Sequence, residues 1–228
     1  MFDAILLKIP LITIAASLIV IIPILIGIIT IKDWLKTPLN IVFFYCLIYS
    51  IFELIAWYYV LNHRQNHFLA NSVIYLDLIF WGYYFHKITL NHITKKTIIL
   101  IIGSSICMAL WSHLGTGRDF NRIDSFANSI SNISLIAVVL LFFYQLLNNL
   151  DTKNLLSYSH FWVSVGVLIY FSGVFFVHIF SEYITFSKNE SLISFWISKD
   201  YLLFFHRIFL AIGLWFSKTP QQLSPSLK

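Results

Sequence analysis

The sequence predicts an all-α, polytopic membrane protein, a single seven-transmembrane-helix bundle. Three observations predict it. Of 228 residues, 59% are hydrophobic and only 11% charged, against about 45–50% and 25% in soluble domains. The excess falls into runs of roughly 18–25 apolar residues, the length that crosses a ~30 Å hydrocarbon layer as a helix. The breaks between runs are polar and too short to fold as soluble domains, so one bundle domain over residues 1–218 is expected, followed by a short polar tail, 219–228.

The spans are expected at 9–31, 38–61, 68–87, 96–113, 125–148, 158–181 and 193–217. The first is longer than the 7–15 apolar residues of a signal peptide and has no small-x-small site before Lys32, so it reads as a spanning helix. Pro23 and Gly27 are candidate kink points within it. The second span carries Glu53, Trp57, Tyr58 and Tyr59; the third echoes it with Asp77, Trp81, Tyr83 and Tyr84. Antiparallel neighbours cannot superpose through such an echo, and no repeat of three helices against three is evident. The fourth span ends at His113 before the loop Gly115-Thr116-Gly117-Arg118-Asp119. The fifth opens with Asp124 and Ser125, carries Asn128 and Asn132 on one face, and is purely apolar from Leu135 to Phe143. The sixth has Gly166 and Gly173 seven apart, which reads as a close helix contact. It ends with His178, and Glu182 follows four residues on. The seventh carries Lys199, Asp200, His206 and Arg207. Continuous apolar runs exclude a barrel, whose strands alternate in polarity, because backbone groups in lipid must be satisfied within each helix.

The formal charge of +5 comes from scattered Lys and Arg with no basic stripe, which excludes nucleic acid as a partner. Cys46 and Cys107 both lie in apolar runs and read as buried small hydrophobes, with neither metal spacing nor a disulfide framework. Trp34, Trp111, Trp162, Trp196 and Trp215 fall near span ends and read as interfacial belt residues. Lys32, Lys36, Lys87, Lys95, Lys96, Lys153, Lys218 and Lys228 share a side with the C-terminus. Lys8, Arg64, Arg118, Arg122, Lys188 and Lys199 lie opposite. The positive-inside rule then expects the N-terminus outside and the C-terminus inside, in a bacterial inner membrane.

Ionisable side chains within spans are costly and mark candidate sites. Glu53 and Asp77 stand about 12–14 Å from the N-terminal side of the bundle at 1.5 Å per residue. Two carboxylates at one depth can share a proton, or each can serve packing through hydrogen bonds to Tyr and Trp. Asn128, Asn132, His178, His206 and Arg207 lean to the same side. The expected ligand-binding set is therefore Glu53, Trp57, Asp77, Trp81, Asn128, Asn132, His178, His206 and Arg207. It forms a one-sided polar bowl above an apolar plug; the plainer alternative is that terminal residues snorkel to the interface.

Specific chemistries fit poorly. Residues 204–207, where a retinal lysine would stand, are Phe204, Phe205, His206 and Arg207. His178 and His206 differ in depth, against a haem pair. His63 and His67 sit in an exposed loop with no third ligand. No nucleophile elbow, phosphate loop or zinc-protease motif occurs. No cofactor, metal or enzymatic activity is expected. A sensor or receptor-like protein and a small solute or ion transporter remain; absent repeats and the lack of Pro in the third to seventh spans weigh against the transporter.

The runs FWVSVGVLIYFSGVFFVHIF, Phe161 to Phe180, and FWISKDYLLFFHRIFLAIGLW, Phe195 to Trp215, resemble small bacterial seven-helix membrane proteins associated with sensor histidine kinases. The region around Glu53 resembles them loosely. Lys199-Asp200 stands where those proteins more often have His-Asn, and His206-Arg207 where they have Lys-Asn. A sensor bundle with no catalytic domain of its own needs, beside the lipid bilayer, a cytoplasmic or membrane-bound partner such as a histidine kinase, and its polar bowl suits a small-molecule ligand; the resemblance itself implies signalling. It assigns no residue roles.

Overall fold

The structure is a computed structural model that describes residues 9–115, 122–148, 155–180 and 190–218, with only the backbone for 190–194 and 196. Every described element is helical. Seven helices are long and apolar enough to cross a membrane: Leu11–Ile29, Leu39–Leu61, His67–Ile88, His92–Gly115, Ser125–Asn148, Ser159–Ile179 and Ile197–Lys218. The chain is a multi-pass membrane protein. Glu182, residues 116–121 and the tail 219–228 lie outside the described residues.

The spans pack as a closed ring. The seventh lies against the sixth and against both halves of the first; the sixth lies against the fifth, and the fifth against the fourth. The third contacts the fourth and fifth, and the second closes the ring between the third and the first. In lipid the bundle gains little from hiding apolar surface, so close approach and interhelical hydrogen bonds hold it. Gly166 and Gly213 provide that approach between the sixth and seventh spans. A Cβ on Gly166 would stand 2.6 Å from Phe209 Cβ, and one on Gly213 would stand 2.5 Å from Val163 Cγ2. Gly173 faces Leu202 in the same seam.

The first span is two helices, Leu11–Leu18 and Ile21–Ile29, broken in the turn before Pro23, one of the two candidate kink points, while Gly27 lies within the second helix. Pro23 has no N–H for the carbonyl of Ile19, which instead accepts from Ile22 N at 3.0 Å. The break leaves the carbonyls of Ala16 and Ser17 open to side chains from other spans. The fourth span begins earlier than expected, at His92, because Asn91 Oδ1 caps it from Ile93 N at 2.8 Å. The second ends in a Schellman motif: Arg64 N donates to Tyr59 O at 2.9 Å and His63 N to Val60 O at 3.0 Å, with His63 at φ 55°. His63 thus ends a helix.

The fully buried apolar side chains concentrate on the C-terminal side of the bundle. They include Leu39, Val42, Phe85, Val138, Val163 and Leu214. Trp34 belongs to this core rather than to an interfacial belt: it is fully buried and its Nε1 donates to Gly27 O at 2.7 Å. Trp111 and Trp215 are exposed. Cys46 is buried, but Cys107 is exposed on the fourth span, because that helix turns its Cys107 face away from the bundle.

Candidate functional site

At the N-terminal side, a cavity of about 460 Å³ lies among the first, second, third and seventh spans. The second span supplies one wall with Tyr49, Phe52, Glu53, Ala56, Trp57 and Val60, a single helical face. This half of the span has no buried residue; its buried ones run from Leu39 to Cys46. Where the cavity lies it is joined to the neighbouring spans through Glu53, Trp57 and Tyr59 rather than buried among them.

The floor is an ion pair. Arg207 Nη2 donates to Glu53 Oε2 at 2.7 Å, with both side chains largely buried. Arg207 Nη1 donates to the carbonyl of Ala16 and, at 3.3 Å, to that of Ser17. These are the carbonyls exposed at the C-terminal end of the first half-helix, where the helix dipole favours a cation. The guanidinium also lies 5.2 Å from the Tyr49 ring centroid. Above it, Trp57 Nε1 donates to Ser17 Oγ at 3.1 Å, and Thr13 Oγ1 donates to Asp200 Oδ2 at 2.5 Å.

Beneath the floor lies a buried aromatic layer. Tyr45 OH donates to Asp77 Oδ1 at 2.8 Å. Trp81 packs against Tyr45 at 4.8 Å and edge-on to His206 at 5.7 Å. Tyr170, which also lines the cavity, stacks on His206 at 4.9 Å. Neither ring nitrogen of His206 nor Trp81 Nε1 has a protein hydrogen-bond partner of ordinary geometry, although His206 Nδ1 faces the Gly166 backbone.

The carboxylates do not form the shared-proton pair that their equal depth suggests. Glu53 takes Arg207 and Asp77 takes Tyr45, which sits eight residues, about 12 Å of helix, below Glu53. The reason is the arginine: it gives Glu53 a countercharge, while Asp77 faces only a phenol.

The expected residues therefore occupy three places. Glu53 and Trp57 line the cavity with Arg207 under them. Asp77, Trp81 and His206 form the layer below. Asn128, Asn132 and His178 do not line the cavity. Asn132 Nδ2 meets His178 Nδ1 at 2.9 Å between the fifth and sixth spans, and Asn128 Nδ2 donates to Asp124 O at 2.7 Å. Near them, Asp124 caps the fifth helix, accepting from Ala127 N at 2.9 Å and Ser112 Oγ at 2.5 Å. Removing this carboxylate in Asp124→Ala is expected to cost about 1–2 kcal/mol of stability. Thermal unfolding in mild detergent measures it, with Asp124→Asn keeping most of the stability.

The half away from the cavity is not purely apolar either: Tyr84 OH and His160 Nδ1 are 2.7 Å apart in the core. Thr13, Ser17, Tyr49 and Tyr170 also line the cavity and were not singled out in the sequence; Lys199 and Asp200 line it too and were noted on the seventh span without entering the expected ligand-binding set. A signal existed for two of them, because Thr13 and Ser17 stand four apart in an otherwise aliphatic run.

The class defined by this fold is the seven-helix membrane protein with a one-sided polar cavity. Compared with known protein families, with curated proteins and with solved structures, the chain matches none.

Proposed function

We propose that the chain is a membrane-embedded sensor or receptor-like signalling protein that binds a small ligand in the N-terminal-side cavity. The observation that carries this reading is the shape of the site. It lies at the N-terminal side, has a charged floor, and lies over an aromatic layer and an apolar core. A pocket closed beneath suits occupancy better than passage. The upper half of the second span is the element an occupant would move, since its face lines the cavity while its fully buried residues all lie in the lower half. With the N-terminus outside a bacterial inner membrane, the ligand arrives from outside. A cytoplasmic or membrane-bound partner such as a histidine kinase reads the movement at the other end.

One observation favours a transporter as the second reading: the first span is broken, and half-helix carbonyls at a charged site recur in transporters. Two measurements separate the readings. Spin labels at Tyr58→Cys and Leu114→Cys, with both native cysteines replaced, report the distance between the second and fourth spans in bilayers. The sensor reading expects two distance populations whose ratio changes with occupancy. A single invariant population overturns it, and solute flux in proteoliposomes replaces it with the transporter.

A further inference from the structure

We infer that the cavity takes an amphipathic molecule of zero net charge, its zwitterionic head among Glu53, Ser17, Lys199 and Asp200 and its apolar body against the third span. This rests on the reading of the cavity as a ligand pocket and names what that pocket accepts.

The first argument is charge. Three charged groups line the site, Glu53 and Asp200 acidic and Lys199 basic, and the basic Arg207 lies directly beneath, paired with Glu53. Their formal charges cancel. A ligand with net charge would bring an uncompensated ion into a desolvated place, which is costly. A zwitterion keeps the balance. The ring of Trp57, on the cavity wall beside Glu53, suits an alkylammonium group.

The second argument is the distribution of the lining. Thr13, Ser17, Lys199 and Asp200 come from the first and seventh spans, whereas the third span contributes Leu69, Ala70 and Val73 below Asn66 and His67 at its outer end. Polar groups on one wall and at the outer end, with aliphatic groups on the lower part of the other wall, match a molecule with a head and an apolar body. The volume, about 460 Å³, is within the range of small-molecule pockets.

The third argument is access. On the second span beside the cavity, Ile51, Leu54 and Ile55 are exposed, as lipid-facing residues are. This wall separates the cavity from the acyl chains, and at that level none of its residues is fully buried. An amphiphile can enter past it from the bilayer or from the water at the N-terminal side.

The test uses the full chain in an uncharged detergent and counts bound probe by native mass spectrometry. Three single-chain probes of equal chain length are compared: lysophosphatidylcholine (zwitterionic), lysophosphatidylglycerol (anionic) and an alkyltrimethylammonium (cationic). Glycerophosphocholine supplies the head without the chain. One lysophosphatidylcholine is expected to bind, at least about tenfold tighter than either charged probe or the free head. Ala70→Phe, which fills the cavity, should abolish it. Asp200→Asn leaves the site at +1 and should move the preference to the anionic probe; Lys199→Gln leaves −1 and should move it to the cationic one, so either variant alone reports the charge rule. Equal binding of all probes, no saturable binding, tight binding of the head alone, a preference unmoved by the folded charge variant, or binding that survives Ala70→Phe each overturns the inference. If lysophosphatidylcholine binds without changing the spin-label populations, the sensor reading fails and the ligand assignment stands. If another compound shifts them while the zwitterion does not bind, the reverse holds.

Discussion

Arg207→Met is expected to lower stability by about 3–5 kcal/mol, the cost of leaving one member of a buried ion pair without its partner. The Glu53 carboxylate loses its 2.7 Å guanidinium contact, and the open carbonyls of Ala16 and Ser17 lose their donor at the same time. Glu53→Gln should be similarly harmful, because Arg207 is then held only by carbonyls and the Tyr49 ring. The double variant Glu53→Leu with Arg207→Met removes both charges and should recover most of the loss, since a buried pair can be replaced by apolar groups with little cost. Arg207→Lys should fall between, because one ammonium cannot span the carboxylate and two carbonyls as a planar fork does. Thermal unfolding in mild detergent, followed by near-UV circular dichroism, measures the series. An Arg207→Met protein as stable as the parent would show that the pair bears no structural weight.

The second large effect is expected at Gly166. Its added Cβ would meet Phe209 Cβ at 2.6 Å, and a Cβ cannot swing away by changing rotamer. Gly166→Ala must therefore push the sixth and seventh spans apart, at about 1–3 kcal/mol or more. Gly173→Ala meets Leu202 Cδ1 at 2.5 Å, the far end of a side chain that can turn, so its cost should be clearly smaller. Gly103 has nothing within 4 Å, and Gly103→Ala should be neutral or slightly stabilising, as alanine is the better helix former. The ranking of the three melting temperatures is the check. Gly166→Ala melting with Gly103→Ala would contradict the close contact.

Much of the fold was legible because a membrane imposes length. Seven long apolar runs can be read without knowing any contact, and the described helices begin and end near those runs. The exceptions have local chemical causes. Asn91 extends the fourth helix backwards as a cap, and Pro23 splits the first. The site was legible only as a list of expensive groups. Glu53 and Arg207 stood out because charges in spans are costly, but 154 residues separate them, and no periodicity can pair such distant positions. Equal depth suggested Glu53 with Asp77. It failed because Asp77 lies beside Tyr45, eight residues and about 12 Å of helix below Glu53, and Arg207 takes Glu53. Thr13 and Ser17 escaped notice because hydroxyls are cheap in a helix, where they can bond back to the preceding turn. Trp34 was misread because nearness to a span end does not reveal that its indole reaches Gly27 O.

The broken first span also bears on how the protein is made. Its open carbonyls at Ala16 and Ser17 are satisfied by Arg207, 191 residues after Ala16. At about 5–20 residues per second, roughly 10–40 s of synthesis separate the two. During that interval the first helix sits in the bilayer with its middle turn unfinished and Glu53 without its cation. Arrival of the seventh helix completes the first, so assembly closes on itself as a ring rather than growing from one end. A ribosome that stops before Arg207 leaves six spans in the membrane and an incomplete first one, a difference that quality-control proteases acting on unfinished membrane proteins can read.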